Sequence, residues 1–315
     1  MKAPRTPNIL RYIPEGAPTI EPAENAHLGL SVPEIVARHG RISRHMAKAI
    51  HVFPSMVKAL SNVLKSYRSL GKNPPTGPVQ ADDAFLRALE AYARSLGCDA
   101  IGYTQVPTSY IFGNRKLLYD QAIVVTMDMS KVAIDQAPSI AAGKEVWRTY
   151  AGLGLIVNRL ARFLRRGGYA AQAGPALGGE ANYPLLALKA GLGHIGRHGL
   201  LISEHNGPSQ RIAAVYTNIA NLLYTDSDRY DWIPSFCDTC LRCVRKCPAS
   251  AIYFRPIVFE DGSEQHIDYR KCAVPFSQTM GCSVCVKECT FTRQPYADIK
   301  ASYDRRLARD RGTDR

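Results

Sequence analysis

Eight of the nine cysteines in this 315-residue chain lie between Cys237 and Cys289, close enough in sequence to bind metal together. The first four are spaced C-x2-C-x2-C-x3-C and are followed by a proline, and the other four are spaced C-x9-C-x2-C-x3-C. Thiolates at such spacings hold iron–sulfur clusters, whose chemistry is electron transfer. The sequence therefore predicts a redox centre.

The first run is the one found in bacterial ferredoxins, where the fourth cysteine of each run binds the other cluster. One predicted [4Fe–4S] cluster is thus bound by Cys237, Cys240, Cys243 and Cys289, and the second by Cys247, Cys272, Cys282 and Cys285. Two zinc sites are the alternative, but zinc ligands come as C-x2-C pairs set well apart. The ninth cysteine, Cys98, stands alone and is predicted to be a small buried apolar residue.

A ferredoxin module does not need the 236 residues that precede Cys237 in this chain. Ferredoxin-type clusters reach potentials of about −400 mV, which is low enough to drive demanding reductions. The long preceding segment therefore favours a catalytic domain that consumes the electrons.

Charge and composition exclude several classes of protein. The net charge of +13 is spread over helical faces and the C-terminal tail without interleaved aromatic residues, so we expect an acidic electron carrier or solvent at this surface, and no nucleic acid. No apolar run approaches the roughly 20 residues of a membrane span. The first residues carry neither a secretory signal nor a twin-arginine motif. Clustered cysteines suit a reducing compartment, and the sequence predicts a cytoplasmic protein.

The hydrophobic pattern divides the chain into four predicted regions. They are an N-terminal helical extension at 1–80, an α/β or α+β domain at 81–228, the cysteine module at 229–295 and a polar, basic, frayed tail at 296–315. In the extension, Ser31 and Glu34 form a capping box, and Pro54 interrupts the helical pattern.

Within 81–228, helical and strand patterns alternate. The predicted helices cover 81–97 and 146–168, and the predicted strands cover 98–106, 121–129, 199–203 and 211–219. Such alternation gives a domain with one mixed core.

Residues 189–218, KAGLGHIGRHGLLISEHNGPSQRIAAVYTN, resemble the glycine-rich segment of the cobalamin-dependent reductases, which include reductive dehalogenases and epoxyqueuosine reductases. Both groups place a nitroreductase-like cobalamin-binding domain ahead of a two-cluster ferredoxin module. The resemblance covers about 85–295 and implies that architecture here. It also implies a bound cobalamin whose own base is displaced, with no protein histidine in its place.

Two residues make the resemblance closer to the dehalogenases. Tyr150 begins the helix that leads to the GY pair at 168–169, where dehalogenases carry a tyrosine that donates a proton, and Arg211 in GPSQR matches their basic partner. A guanidinium beside a phenol favours proton release and can stabilise a departing anion. The CTF ending at Cys289 is also dehalogenase-like. Epoxyqueuosine reductases have a catalytic aspartate where this chain has Leu177.

The chain departs from the dehalogenase pattern at Ala176, where many members have asparagine, and at Asn218, which replaces an aspartate. The substrate is therefore left open. The glycine-rich loop is expected to let the backbone approach the corrin, and the cofactor-binding residues implied are Gly193, His194, Gly196, Arg197 and Gly199. His194 and His198 are interpreted as solvated loop histidines rather than cobalt ligands.

Together these features predict a cytoplasmic, iron–sulfur, cobalamin-dependent reductase of the dehalogenase type. It would accept electrons from an external ferredoxin- or flavodoxin-type donor and cleave a carbon–heteroatom bond, with carbon–halogen the first candidate, in a small organic substrate. The alternatives are an electron-transfer subunit, an epoxyqueuosine-reductase-like enzyme and a corrinoid-handling protein.

Overall fold

The structure is a computed structural model, and it describes residues 8–24, 26, 32–41, 50–75, 77–225 and 228–313. Its helices are α1 Val32–His39, α2 Phe53–Arg68, α3 Asp83–Ser95, α4 Lys131–Ile134, α5 Ile140–Arg166, α6 Tyr183–Lys189, α7 Trp232–Cys240, α8 Arg242–Lys246, α9 Tyr269–Thr279, α10 Val284–Lys287, α11 Thr290–Arg293 and α12 Tyr296–Thr313. The strands are β1 Ala100–Gln105, β2 Gln121–Asp128, β3 Ala171–Ala173, β4 His194–Ile195, β5 Leu201–Ile202, β6 Gln210–Thr217, β7 Ile252–Val258 and β8 Glu264–Ile267. The capping box predicted at Ser31 lies outside the described residues.

A four-stranded sheet in the order β1-β2-β6-β3 forms the centre of the main core, and every neighbouring pair in it is antiparallel. Residues 122–126 of β2 are all buried. Since successive side chains of a strand point to opposite faces, the sheet is covered on both sides. Helix α5 packs on β2, β3 and β6, and α6 packs on β1, β2 and β6. The predicted mixed α/β fold is confirmed, and the antiparallel pairing makes it α+β.

The long helix α5 begins where Ser139 accepts a hydrogen bond from the backbone N–H of Ala142, and its apolar stripe faces the sheet. Helix α2 packs along it, and the side chain of Asn62 donates to the carbonyl of Ala151 at 3.0 Å. Val63 and Tyr67 of α2 are buried in the same core as the strands. The predicted N-terminal extension thus contributes to the main core.

Two predictions at the ends of elements need correction. Pro54 lies in the first turn of α2, so it is part of the start of the helix and does not interrupt it. A backbone N–H in the first turn has no carbonyl partner within the helix, and a proline there therefore costs no hydrogen bond. The predicted frayed tail is the helix α12. Its residues Ile299 and Tyr303 are buried, and the ring of Tyr303 lies 5.3 Å from that of Trp232 in α7.

The cysteine module consists of the short helices α7 to α11 and the hairpin β7–β8. The nine residues between Cys272 and Cys282 form most of α9, which packs against α1. The hydroxyl of Ser277 accepts a hydrogen bond from the backbone N–H of Arg41 at 3.0 Å. Among the helices of the described residues, none is both long enough and apolar enough to cross a bilayer.

Candidate functional site

A cavity of about 240 Å³ lies between α5, the loop before α6 and strand β6. Tyr150 from α5 and Arg211 from β6 both line it. Helix packing positions Tyr150, and the register of the sheet positions Arg211, which lies opposite Met127 of β2. Two residues that are far apart in sequence therefore meet at one wall of the cavity.

The guanidinium of Arg211 lies over the face of the Tyr150 ring, with its central carbon 4.9 Å from the ring centroid. Trp147 packs edge-on against the same ring at 5.9 Å. Tyr150 is only 8% exposed, and Nε of Arg211 is buried without a hydrogen-bond partner in the described part of the chain. The pair thus places the Tyr150 hydroxyl, which can donate a proton, beside the positively charged guanidinium of Arg211, whose Nε–H can still donate a hydrogen bond.

The cavity is also lined by small residues, which include Ala176, Gly178 and Ala181, and by the larger Phe112 and Tyr183. Leu177 is buried and apolar. A cavity with one cation, two phenols and several apolar lining residues suits a small, mainly apolar molecule that develops negative charge when it reacts.

Glu180 is a residue that sequence reasoning missed. Its side chain is completely buried, and among the described residues neither carboxylate oxygen has a hydrogen bond of normal geometry. Burial raises the pKa of Glu180 to about 7, while the nearby Tyr67 hydroxyl and Arg115 guanidinium act to lower it. The only sequence signal was an acid in the glycine-rich stretch GGEAN, three residues after Leu177.

The glycine-rich loop runs from the cavity to the cysteines. Gly193 has φ +156°, and a Cβ there would lie 2.2 Å from the carbonyl oxygen of Ile202, so the β4–β5 pairing requires glycine at this position. Leu200 and Leu201 line the Tyr150 cavity. The five loop residues predicted to bind the cofactor do not line that cavity, although they lie in the segment that leads to it: Gly193, His194, Gly196, Arg197 and Gly199.

The two loop histidines differ from the expectation that both are solvated. Nε2 of His194 lies 4.0 Å from the carboxylate of Asp231, and its side chain is 22% exposed. His198 is only 3% exposed, because the loop folds it under the β7–β8 hairpin and against the cysteine module. Arg197, next to it, forms an ion pair with Asp238 of α7.

The eight clustered cysteines fall into two groups of four, within which the thiols lie close enough to interact electrostatically. The groups are Cys237, Cys240, Cys243 and Cys289, and Cys247, Cys272, Cys282 and Cys285. Burial raises the pKa of Cys237 to about 11 and that of Cys243 to about 12. Cys285 also interacts with Cys243, so the two groups adjoin.

The two halves of the module repeat one local structure. Leu241 follows Cys240 with φ +48°, and Ser283 follows Cys282 with φ +54°. In each half a short helix comes next, and the last cysteine is extended, with φ −65° and ψ 118° at Cys247 and φ −63° and ψ 135° at Cys289. Left-handed residues other than glycine are unfavourable and uncommon, so their recurrence at matching places indicates a common purpose.

In the described ranges, no three Cys, His, Asp or Glu side chains converge as ligands of one metal ion. The two cysteine groups are the same two sets of four that the spacing predicts as cluster ligands. Cys98 is buried, as predicted, and its thiol donates to the carbonyl of Ala100 at 3.0 Å.

The cysteine module packs against the cavity-bearing core at several places, and glycines make the contact close at two of them. A Cβ added to Gly143 of α5 would lie 2.8 Å from the carbonyl oxygen of Thr279, and one added to Gly281 would lie 3.1 Å from Val146. On the other side, a Cβ at Gly207 would lie 2.6 Å from the carbonyl oxygen of Phe291. At both contacts, backbone of one region therefore packs directly against backbone or core side chains of the other region.

No protein-family model matches the chain. A tetrachloroethene reductive dehalogenase of Desulfitobacterium hafniense is 34% identical in an alignment 185 residues long that covers 54% of this chain and 33% of that protein. An epoxyqueuosine reductase of Cyclobacterium marinum is 31% identical in an alignment 137 residues long that covers 37% of this chain and 42% of that protein. The chain thus spans about a third of the length of its dehalogenase relative.

Solved structures show a related fold. A catabolic reductive dehalogenase in complex with 3-bromo-4-hydroxybenzoic acid superposes with a TM-score of 0.67 at 20% identity, covering 91% of this chain and 44% of that one. A reductive dehalogenase described with a B12-dependent mechanism gives 0.63 at 22% identity, covering 78% of this chain and 39% of that one. The resemblance predicted from the sequence is therefore confirmed: the chain is similar to the reductive dehalogenases, which are oxidoreductases, and more weakly to an epoxyqueuosine reductase.

Proposed function

We propose that this chain is a cobalamin-dependent reductase of the dehalogenase type, which replaces a halogen of a small organic molecule with hydrogen. The observation that carries the proposal is the Arg211 guanidinium over the Tyr150 ring inside a cavity of about 240 Å³. The reaction consumes two electrons and one proton: R–X + 2 e⁻ + H⁺ gives R–H and X⁻.

Tyr150 and Arg211 have different roles in this reaction. The Tyr150 hydroxyl gives its proton to the carbon that loses the halogen, and the phenolate that forms is stabilised by the adjacent guanidinium. Arg211 also faces the departing anion, because its Nε is buried without a partner among the described residues. Tyr150 is buried and Arg211 is partly buried, which limits the access of water to the reacting carbon.

The cavity has the volume of a small substrate, and a corrin macrocycle would adjoin it. The small residues Ala176, Gly178 and Ala181 in the cavity lining fit that role, because they bring backbone close to the cavity. The glycine-rich loop at 193–199 is proposed to bind the corrin from the adjoining segment, since Leu200 and Leu201, which follow it, line the cavity. When bound, cobalamin supplies the two electrons at cobalt. The remaining chemistry belongs to Tyr150 and Arg211.

The two groups of cysteines are proposed to bind two [4Fe–4S] clusters, with the ligand sets predicted from their spacing. The repeated left-handed residues and the two groups of interacting thiols support this assignment. The proposal includes a nitroreductase-like domain at 81–228 and a ferredoxin-type module at 229–295. A ferredoxin- or flavodoxin-type donor would supply the electrons. The clustering of thiols as ligands favours a cytoplasmic setting.

Anaerobic reconstitution with iron, sulfide and hydroxocobalamin tests the cofactors. We expect about eight irons and one cobalt per chain. Iron without cobalt would support an electron-transfer subunit instead, and cobalt bound without turnover would support a corrinoid-handling protein. Turnover is measured as halide release from tetrachloroethene and from 3-bromo-4-hydroxybenzoic acid, with a reduced viologen as the electron source.

Tyr150→Phe tests the proton donor. Loss of the hydroxyl should lower halide release by at least about 100-fold while iron and cobalt contents stay at the wild-type level. Tyr92→Phe is the matched control, since Tyr92 lies on α3 and stacks on Phe163 away from the cavity. Wild-type turnover in Tyr150→Phe would remove Tyr150 from the mechanism.

A further inference from the structure

His198 has a buried donor that the proposed mechanism does not use. The ring lines a second cavity, whose walls include Cys237, Cys240, Cys243 and Cys289. Its Nε2 is buried and, in the part of the chain that the structure describes, has no hydrogen-bond partner. Buried polar groups are rarely left unpaired, so a missing partner here indicates a group that belongs in this cavity.

The hydrogen bonds of His198 determine which ring nitrogen carries the proton. The backbone N–H of Leu200 donates to Nδ1 at 3.2 Å, so Nδ1 is the acceptor. Because Nδ1 accepts this hydrogen bond, it carries no proton and the ring is neutral. A neutral ring with Nδ1 as acceptor carries its proton on Nε2. Nε2–H is therefore a neutral donor held in place by its own loop.

The loop positions this ring tightly. A Cβ added to Gly196 would lie 2.9 Å from Cε1 of His198, and a Cβ added to Gly199 would lie 3.1 Å from Cβ of His266. The ring is thus held close to the loop backbone on one side, and His266 of β8 closes the loop on the other. Arg197 also lines the cavity; its charge is paired with Asp238, and its Nε, like Nε2 of His198, is buried without a partner among the described residues. His198 is the neutral donor of this wall.

We propose that Nε2–H of His198 donates a hydrogen bond to a sulfur of the cluster bound by Cys237, Cys240, Cys243 and Cys289. This inference rests on the proposed function, because it requires that cluster. A reduced cluster carries more negative charge on its sulfurs, so the hydrogen bond strengthens on reduction and raises the reduction potential. His198 is a positioning residue that sets the potential of one cluster relative to the other.

The test is a redox titration of reconstituted protein followed by electron paramagnetic resonance. His198→Leu removes the donor and should lower the ratio of reduced to oxidised cluster about tenfold at a fixed potential, which is a shift of about 59 mV for one electron. His198→Gln keeps an N–H and should remain within about twofold of wild type. His205→Leu is the control, because His205 is 80% exposed and pairs with Asp128. The second cluster should not shift in any variant.

A second measurement does not depend on the variants assembling their clusters. Wild-type protein labelled with ¹⁵N-histidine should show nitrogen coupling to one reduced cluster in pulsed resonance experiments. Eight irons in wild type with no such coupling, or with an unchanged titration in His198→Leu, would overturn this inference alone. Wild-type protein that binds no iron would overturn both this inference and the proposed function.

Discussion

The cavity and the cysteine module are built in different ways. The cavity is held by long elements: α5 has 27 residues, and all eight residues of β6 pair with β2. In the module, α8 has five residues and α10 has four. Leu241 and Ser283 are left-handed there without being glycine. A packed core holds the proposed catalytic side chains, whereas few regular contacts hold the eight thiols.

This difference indicates what each region needs in order to fold. The core buries a continuous set of apolar side chains around the sheet, so it is stabilised without a cofactor. In the module, burial raises the pKa of thiols such as Cys272, to about 11, and leaves them without strong partners. Metal binding and folding are coupled where ligands are the main cross-links. We expect the clusters to hold the module together.

The largest expected effect comes from removing one ligand. Cys243→Ala should lose about four of eight irons and should raise amide exchange across 229–295, while β2 and β6 stay protected. Iron analysis and hydrogen exchange by mass spectrometry measure both. Cys98→Ala is the matched control, because Cys98 is equally buried but lies outside the module, and it should keep all its iron. Full protection of 229–295 in the apo protein would contradict the comparison.

A smaller effect is expected inside the core. Glu180 keeps a proton up to about pH 7 in the folded chain and releases it near pH 4.5 when unfolded. The free energy of unfolding should therefore fall by about 3 kcal/mol as pH rises from 4.5 to 7. Glu180→Gln should lack this fall and be more stable than wild type at pH 7.5, but not at pH 4.5.

The groups that face Glu180 are Tyr67 of α2, Arg115, Tyr183 and Tyr216 of β6. Urea unfolding at several pH values measures the difference, with the exposed Glu15→Gln as control. A parallel pH profile for wild type and Glu180→Gln would show that the folded chain does not hold this proton.

The smallest expected effect concerns the contact between Gly143 of α5 and Thr279 of the cysteine module. Gly143→Ala places a methyl group 2.8 Å from the Thr279 carbonyl, and we expect a net loss of about 1 kcal/mol in unfolding free energy, because overpacking exceeds the gain in helix propensity. Gly71→Ala, which meets no atom within 4 Å, is the control. Equal stability of the two variants would mean that the contact between α5 and the cysteine module is loosely packed.

A feature of this protein could be predicted from the sequence when its signal lies within a short stretch of the chain. The cysteine groups could be predicted because ligand spacing is a local property, and the strands β2 and β6 because their apolar runs are long. Tyr150 and Arg211 came from a family resemblance, and only the sheet and helix packing bring them together. Glu180 and the burial of His198 were missed, because both depend on elements distant in sequence.

The position of helix α5 also bears on how electrons and protons would reach the cavity. Val146 touches the turn next to Cys282, and Tyr150 follows one helical turn later, a rise of about 6 Å. For the cluster proposed at Cys282, only a short stretch of packed protein would therefore separate the electrons from the cavity. The N-terminal half of α5 thus carries both the proposed proton donor and the contact with the cysteine module, so a shift of α5 along its axis would move both together.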